Sequence, residues 1–271
     1  MGPATLAALN VTVEQRVEQI RANLERARWV FYDPGSEFLV VNIAGFRAYL
    51  LRRGEIIWSS RVQVGRPYTQ TPVFAAKMSY IVFNPTWTVP TSIVRNETVP
   101  AIRRDPNYLA SHNMDVFDSS GKMVDPASVN WSATNGGPYR FVQRPGPNNA
   151  LGRMKFMFPN EHAVYLHDTP SRSLFERDNR AFSHGCIRVD DVYGLAVTLL
   201  GSGWSRERID RVIAGGKTET VFLDKPLPIM LLYWTTEVDA AGRVSFFTDV
   251  YSRDAAVIAA LKEPFRPSPT L

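Results

Sequence analysis

Apolar and polar positions along the chain change rhythm several times, and each change predicts a different element. From 12 to 28 apolar residues recur at helical spacing. Val13, Val17, Ile20 and Leu24 form one stripe, while Glu14, Arg21 and Glu25 face away from it. Thr12, followed three positions later by Gln15, completes a capping box, so a helix is predicted over 12–28. Residues 37–65 carry β-rich runs instead: Phe38 to Ile43, Phe46 to Leu51 and Ile56 to Val64. Asn42 to Gly45 and Arg52-Arg53-Gly54-Glu55 supply the turns between them.

The rhythm then fails between 66 and 150. Asn84-Pro85, Val89-Pro90, Asp105-Pro106, Asn135-Gly136-Gly137-Pro138 and Arg144-Pro145-Gly146-Pro147 break it repeatedly. Short pieces are expected there, but no long periodic element. A span that irregular inside a compact protein reads as a functional lid or an insertion. Alternation returns at 162–167 (HAVYLH), read as a strand, and Cys186 to Val189 reads as another. Asp190 or Asp191 then caps a helix to about Leu200. Pro228 to Val238 and Arg243 to Val250 flank Ala240-Ala241-Gly242 as a hairpin, and a helix over Asp254 to Leu261 precedes a Pro-rich tail. No internal repeat is evident. The fold class is mainly β with peripheral helices.

Composition narrows this picture. With 271 residues, 45% hydrophobic and 21% charged, the chain has a globular composition. No run approaches the about 18 apolar residues of a membrane span, and MGPATLAALN lacks the features of a secretory signal. The net charge is +5 and the pI about 9.4. Basic residues are dispersed and match no zinc-finger or basic-zipper pattern, so nucleic acid is not the expected partner. A carboxylate-rich cell-wall polymer suits the charge as well as an ordinary surplus of Arg does. One cysteine excludes an internal disulfide.

That cysteine, Cys186, lies with three of the four histidines in residues 162–191. One reading is a metal site built from His162, His167, His184 and Cys186. Their spacing matches no familiar zinc pattern, and no metal or other cofactor is expected. The other reading is a thiol nucleophile. A thiol needs a base or a positive field to ionise near neutrality, and His167, at a strand end, is the candidate base. Gly185 gives the backbone unusual freedom, and the N–H groups of Gly185 and Cys186 are candidate oxyanion donors. Arg188, two residues on, shares a strand face with Cys186. It either binds a substrate carboxylate or pairs with Asp190 or Asp191.

Ser183-His184-Gly185-Cys186-Ile187-Arg188, with fifteen residues between His167 and Ser183, resembles the signature of the YkuD-type L,D-transpeptidase catalytic domain. Further blocks resemble the large Gram-negative YcbB (LdtD) branch over roughly 1–260. They are Asn23-Leu24-Glu25-Arg26-Ala27-Arg28-Trp29, Asn84-Pro85-Thr86-Trp87-Thr88-Val89-Pro90, Asn149-Ala150-Leu151-Gly152, Lys155-Phe156-Met157-Phe158-Pro159-Asn160 and Tyr165-Leu166-His167-Asp168-Thr169-Pro170.

The resemblance implies a YkuD-like β-sandwich or barrel over 37–261, with a substrate-capping subdomain inserted at about 90–148. It also implies an N-terminal helix and linker at 11–36 and a tail at 262–271. Residues 1–10 resemble the end of a peptidoglycan-binding domain whose remainder, with the export signal, is absent from the sequence. By the same resemblance Cys186 takes the acyl group of a donor tetrapeptide stem, releasing D-alanine. A diaminopimelate amine of an acceptor stem then completes a 3→3 peptidoglycan cross-link. His167 serves as base, the backbone carbonyl of Asp168 as its orienter, and His184 and Ser183 as supports of the oxyanion loop. Tyr165 and Trp87 become pocket-wall candidates, with core packing as the alternative role. Carbapenems are implied inhibitors and the periplasm the implied location.

Two other function classes compete. A hydrolase on the same scaffold, an L,D-carboxypeptidase or an enzyme cleaving diaminopimelate-linked bonds, differs only in the acceptor. A non-catalytic wall-binding protein would not need the Cys, His and Gly. A papain-like peptidase fits poorly, since there Cys precedes His.

Overall fold

The structure is a computed structural model that describes residues 2–30 and 33–264. Residues 265–271 of the expected tail lie outside the described residues. In chain order, two helices, α1 Pro3–Leu9 and α2 Val13–Arg28, precede four strands: β1 Glu37–Asn42, β2 Arg47–Arg52, β3 Glu55–Gly65 and β4 Phe74–Phe83. A separate run follows, made of β5 Trp87–Thr88, α3 Thr91–Ile93, a π-turn Val94–Thr98, α4 Val99–Arg104, α5 Tyr108–Ser111, β6 Met114–Phe117, β7 Met123–Val124 and β8 Arg140–Gln143. The chain then returns through β9 Met154–Met157, β10 Leu166–His167, β11 Ala181–Ser183, β12 Ile187–Val189, α6 Val192–Leu200, α7 Arg206–Ala214, β13 Glu219–Leu232, β14 Thr236–Val238, β15 Val244–Phe246 and α8 Asp254–Lys262.

The principal sheet runs β11-β3-β12-β10-β9-β4-β13-β1-β2 and closes where β2 also pairs with β3. Closure removes the exposed edges of an open sheet. It depends on β3, long enough to pair with β2 over its first half and with β12 and β11 near its end. The β2–β3 turn is Arg53-Gly54, both with positive φ, the geometry a tight two-residue hairpin needs. The buried side chains of the closed sheet, among them Leu39, Ile81, Phe83, Phe156, Leu166 and Ile187, form one core with α6 and α7. The fold is mainly β with peripheral helices, as the sequence predicts.

Four local expectations fail. First, α2 forms with its Thr12–Gln15 capping box, but the stripe of Val13, Val17 and Leu24 is exposed. The buried face is Gln19, Ala22, Asn23 and Arg26. Gln19 Nε2 donates to the carbonyls of Thr235 and Phe247, at 2.9 and 3.0 Å. Asn23 donates to Thr235 Oγ1 at 2.7 Å and accepts from Thr235 N at 2.8 Å. Arg26 pairs with Asp254 at 2.5 Å. The helix packs on backbone that needs hydrogen-bond partners, so its polar face turns inward.

Second, β4 is a ten-residue strand in a span expected to hold no long element. Its Ala75-Ala76-Lys77 stretch has weak strand propensity, but pairing on both sides, with β13 and β9, outweighs it. Third, Pro228 belongs to the long β13, whose register with β4 shifts between Phe222 and Leu227, beside Pro226. The hairpin is the shorter β14–β15 pair. Proline offers no donor to a ladder, which accounts for the irregularity. Fourth, α7, capped by Ser205, has no counterpart among the elements expected from the sequence.

Strands β5, β8, β6 and β7 form their own four-stranded sheet. With Val89, Val99, Ile102, Leu109, Val116 and Phe141 they enclose a separate small core. Two asparagines tie the base of this subdomain to the barrel. Asn84 Nδ2 donates to the carbonyls of Val212, Ile213 and Lys217. Asn149 Nδ2 donates to Pro85 O at 3.1 Å and Arg144 O at 2.9 Å, joining the entering and leaving segments.

Candidate active site

Register places the chemistry. His167 on β10 lies opposite Lys155 of β9 on one side and Arg188 of β12 on the other. Arg188 in turn lies opposite Gln63 of β3. Residues directly opposite one another share a face, so Lys155, His167, Arg188 and Gln63 form one row. Cys186, two positions before Arg188, and Tyr165, two before His167, belong to that face. The alternate residues Phe156, Leu166 and Ile187 point into the barrel and are fully buried. A thiol, an imidazole, two cations and a phenol therefore share one face because their neighbours fill the core.

The strand expected over 162–167 is only Leu166–His167. Asn160 prevents its extension. Its Nδ2 donates to the carbonyls of Phe158 and Val164, and its Oδ1 accepts from the amides of His162 and Val164. Ala163 adopts a φ of +53° in the resulting turn. The carbonyl of Ala163 faces the Cys186 sulfur at 3.8 Å.

His167 is 4% exposed, and its Nδ1 donates to the carbonyl of Asp168 at 2.5 Å. That bond leaves Nε2 as the basic nitrogen. The side chain of Asp168 does not touch the ring. Its Oδ2 accepts from Arg153 N at 2.9 Å and its Oδ1 from Arg172 at 3.4 Å. Gly152 is packed so closely that a Cβ there would sit 2.4 Å from Asp168 Oδ2. Asp168 is thus held by its carboxylate and orients the imidazole with its backbone.

Electrostatics favour a neutral resting pair. Burial, then the charges of Arg188 and Lys155, push His167 down to about 3, against the opposing pull of the Asp168 carbonyl. Burial pushes the Cys186 thiol up, while hydrogen bonding from Tyr165 and the charges of Lys155 and Arg188 pull it back. Lys155 Nζ lies 4.1 Å from the centre of the Tyr165 ring, and burial lowers its own pKa. Arg188 donates to Gln63 Oε1 at 3.2 Å, and its Nε is buried without a partner among the described residues. The nearby acids are engaged elsewhere. Asp190 pairs with Arg61 and Arg172. Asp191 caps α6 and accepts from Trp58. The result is a positive surface around the sulfur.

The turn 183–186 carries one correction. Gly185 has a φ of +117°, a conformation that favours glycine. Its N–H, expected as an oxyanion donor, instead donates to Ser183 Oγ at 3.0 Å. Ser183 Oγ itself donates to the Cys186 carbonyl at 2.5 Å. The amides left without a partner among the described residues are those of His184 and Cys186. Gly185 thus shapes the turn, and its neighbours supply the free donors.

A model of the L,D-transpeptidase catalytic domain (YkuD) matches residues 36–203. The chain belongs to this family. It is 39% identical over 221 residues to a Haemophilus influenzae protein provisionally named as an L,D-transpeptidase. The match covers 81% of the chain but 45% of that protein, so the chain spans under half of its relative's length. Among solved structures, an L,D-transpeptidase from Mycobacterium smegmatis matches at 13% identity with a TM-score of 0.31, over 73% of this chain and 58% of the other. The catalytic domain of the E. faecium L,D-transpeptidase acylated by ertapenem matches at 11% identity with a TM-score of 0.31, over 73% and 97%. The matched region is the family's catalytic domain.

The remaining sequence candidates divide. Tyr165 stands beside the row, its ring 5.7 Å from that of His167. Trp87 instead packs against the core of the inserted subdomain, which is its alternative, packing role. His162 lies tilted against Phe74, with ring centres 4.8 Å apart. The His184 side chain meets Glu97 at 2.6 Å. Among the described residues no group of three or more His, Cys, Asp or Glu side chains is arranged to hold a metal.

Other contributors escape a reading of the sequence. Thr71 Oγ1 donates to Gly185 O at 2.8 Å. The hydroxyl of Tyr251 accepts from Thr71 N at 3.2 Å and donates to Gly65 O at 2.6 Å. Lys155 carries a strand-alternation signal, because Met154 and Phe156 beside it are core residues. Thr71 and Tyr251 carry none, being far from Cys186 in sequence.

Proposed function

We propose that the chain forms 3→3 cross-links in peptidoglycan through a thioester on Cys186. The observation that carries the proposal is the shared face of His167 on β10 and Cys186 at the entry to the parallel neighbour β12, with Nδ1 of His167 committed to the Asp168 carbonyl. Nε2 of His167 takes the thiol proton as sulfur attacks the carbonyl joining diaminopimelate to the terminal D-alanine of a donor stem. The carbon–nitrogen bond breaks, the proton passes to the departing amine, and the acyl group remains on sulfur. The side-chain amine of an acceptor diaminopimelate then attacks. His167 takes a proton from the attacking amine, the carbon–sulfur bond breaks, and His167 passes that proton to the thiolate. Developing negative charge on the carbonyl oxygen meets the amides of His184 and Cys186.

Arg188 and Lys155 suit a substrate bearing carboxylates, since neither has an acid partner among the described residues. Ser183 maintains the turn and Tyr165 walls the site. The subdomain at 87–143 covers the donor stem and disfavours water as acceptor. The YcbB branch, a periplasmic location and acylation by carbapenems belong to the same reading. Incubation with purified disaccharide tetrapeptide, followed by mass spectrometry, tests it. The expected products are a 3→3 linked dimer and free D-alanine. Tripeptide without dimer would assign the chain to the hydrolases instead.

A further inference from the structure

Four successive peptide planes make up the turn between β11 and β12, and each is held through its carbonyl or its amide. The Ser183 carbonyl accepts from Arg66 N at 3.0 Å and from Thr69 Oγ1 at 3.1 Å. The Gly185 amide donates to Ser183 Oγ, and the Cys186 carbonyl accepts from the same hydroxyl. Ile187 N, in the plane of the Cys186 carbonyl, also donates to the Tyr165 carbonyl at 3.0 Å. The plane between Gly185 and Cys186 has one holder among the described residues: Thr71 Oγ1, which donates to the Gly185 carbonyl at 2.8 Å.

The other end of that plane is the Cys186 amide, one of the two amides in the turn without a partner among the described residues. A peptide plane is rigid, so an anchored carbonyl fixes the direction of the N–H across it. Without the anchor, the plane can turn between two fixed Cα atoms through opposite changes in ψ of residue 185 and φ of residue 186. Gly185, having no Cβ, offers that rotation little resistance. Thr71 is itself built in. It is fully buried, and its Oγ1 accepts from Gly65 N at 2.9 Å, which commits the hydroxyl proton to the Gly185 carbonyl. Its amide donates to the Tyr251 hydroxyl at 3.2 Å. Gly65 permits the close return of the 65–71 loop, because a Cβ there would collide with the Thr69 carbonyl oxygen. In a site this enclosed, losing the hydroxyl leaves the Gly185 carbonyl without a donor, which favours turning it toward solvent.

We propose that Thr71 is a positioning residue: by holding the Gly185 carbonyl, its hydroxyl fixes the peptide plane that aims the Cys186 N–H at the developing oxyanion. The inference rests on the acyl-transfer reading for its kinetic test. The second free amide, that of His184, shares a plane with the Ser183 carbonyl, which Arg66 N and Thr69 Oγ1 hold together. Both candidate donors are thus aimed from the 65–71 loop, the His184 amide by two bonds and the Cys186 amide by one.

The test uses the full chain and imipenem as the acylating probe. Removing one oxyanion donor outright costs about 10²–10³-fold, so misdirecting one in Thr71→Val predicts acylation roughly 10–100-fold slower. The loss is expected in the first-order acylation step and not in the imipenem concentration giving half the maximal rate, because the contact strengthens only as the carbonyl oxygen gains charge. Thr71→Ser keeps the hydroxyl and is expected to restore most of the rate. Thr69→Val leaves Arg66 N on the Ser183 carbonyl and is expected to cost less than Thr71→Val; an equal loss in the two would overturn the proposal. Thr71→Ala carries the same expectation as Thr71→Val and takes its place if that variant does not fold. A crystal structure of the unreacted variant supplies a readout independent of the reaction: the Gly185–Cys186 peptide is expected to be turned or split between two orientations. The wild-type peptide orientation, or the wild-type acylation rate, in Thr71→Val would overturn the proposal. If the wild type itself is not acylated, the acyl-transfer reading fails, and the crystal comparison alone decides whether Thr71 holds the peptide.

Discussion

The barrel face and the inserted subdomain solve the problem of placing residues in different ways. On the barrel, Lys155, His167, Arg188 and Gln63 stand in one row because four paired strands fix their register. A one-residue slip would turn His167 and Arg188 into the core and Leu166 and Ile187 out of it, so the placement of the chemistry is as secure as the packing. The subdomain has its own core and is tied down at its base by Asn84 and Asn149. It reaches the turn before Cys186 through His184 and Glu97. In the proposed reaction the barrel supplies attack at a carbonyl, and the subdomain is the part able to change what arrives next.

The largest expected effect falls on the barrel row. His167→Ala is predicted to slow acylation about 10²–10⁴-fold at neutral pH, the usual cost of losing a positioned base. The loss shrinks at alkaline pH, where the thiol ionises unaided; an equal deficit at both pH values would remove His167 from the role of base. The same side chain shapes acid stability. Its folded pKa, about 3, lies below the ordinary value of 6.5. The unfolded chain therefore binds the proton more readily. The stability associated with a neutral ring is present above pH 6.5 and is lost as pH falls toward 3. His167→Gln is expected to flatten that part of the pH dependence of the urea midpoint.

Next in size is Arg188→Gln. Losing a charge-assisted hydrogen bond to a substrate carboxylate is worth about 1.5–3 kcal/mol, or roughly 10–100-fold in kcat/KM for the stem peptide. Because Arg188 also pulls the Cys186 thiol down, the alkaline limb of the profile is expected to move to higher pH. An unshifted profile with unchanged kcat/KM would reduce Arg188 to a structural partner of Gln63.

Asn149→Ala addresses the other half of the comparison. It leaves buried carbonyls without a donor, at a cost of about 1–3 kcal/mol. The expected signature is faster proteolysis within 87–143 and a larger share of hydrolysed over cross-linked product. An unchanged product ratio, despite faster proteolysis, would separate the subdomain from acceptor choice. Smallest of all is Leu24→Ser on α2. This residue is 60% exposed, so a change in stability within about 0.5 kcal/mol is expected. Asn23→Ala, one residue away, is expected to cost several times more, because Asn23 is buried and bonded to Thr235.

That last contrast shows where the sequence is legible. The first three strands, the Thr12 capping box, the Asp191 cap and the short strand after Cys186 all follow from local patterns, because local interactions decide them. The inward face of α2 does not. Apolar periodicity points to Val13, Val17 and Leu24, whereas the surface beneath presents Thr235 and Phe247 backbone that only polar side chains can satisfy. Strand β4 is concealed for a similar reason, its Ala and Lys residues being held by neighbours on both sides. In the site, Cys186, His167 and Arg188 lie close enough in sequence to be read as a group. Lys155 needs the β9–β10 register, and the inward bond of the Gly185 amide needs the position of Ser183 Oγ. Glu97 joins the group only across two subdomains.

The central claim is that Cys186 carries the acyl group, and intact-protein mass spectrometry tests it most directly. Wild-type protein mixed briefly with a tetrapeptide stem at limiting acceptor is predicted to gain the mass of the stem less D-alanine. Cys186→Ala should gain nothing, and Cys186→Ser should react at least about a thousandfold more slowly while remaining folded. An adduct of equal yield on Cys186→Ala, or dimer formation by that variant at the wild-type rate, would contradict the account.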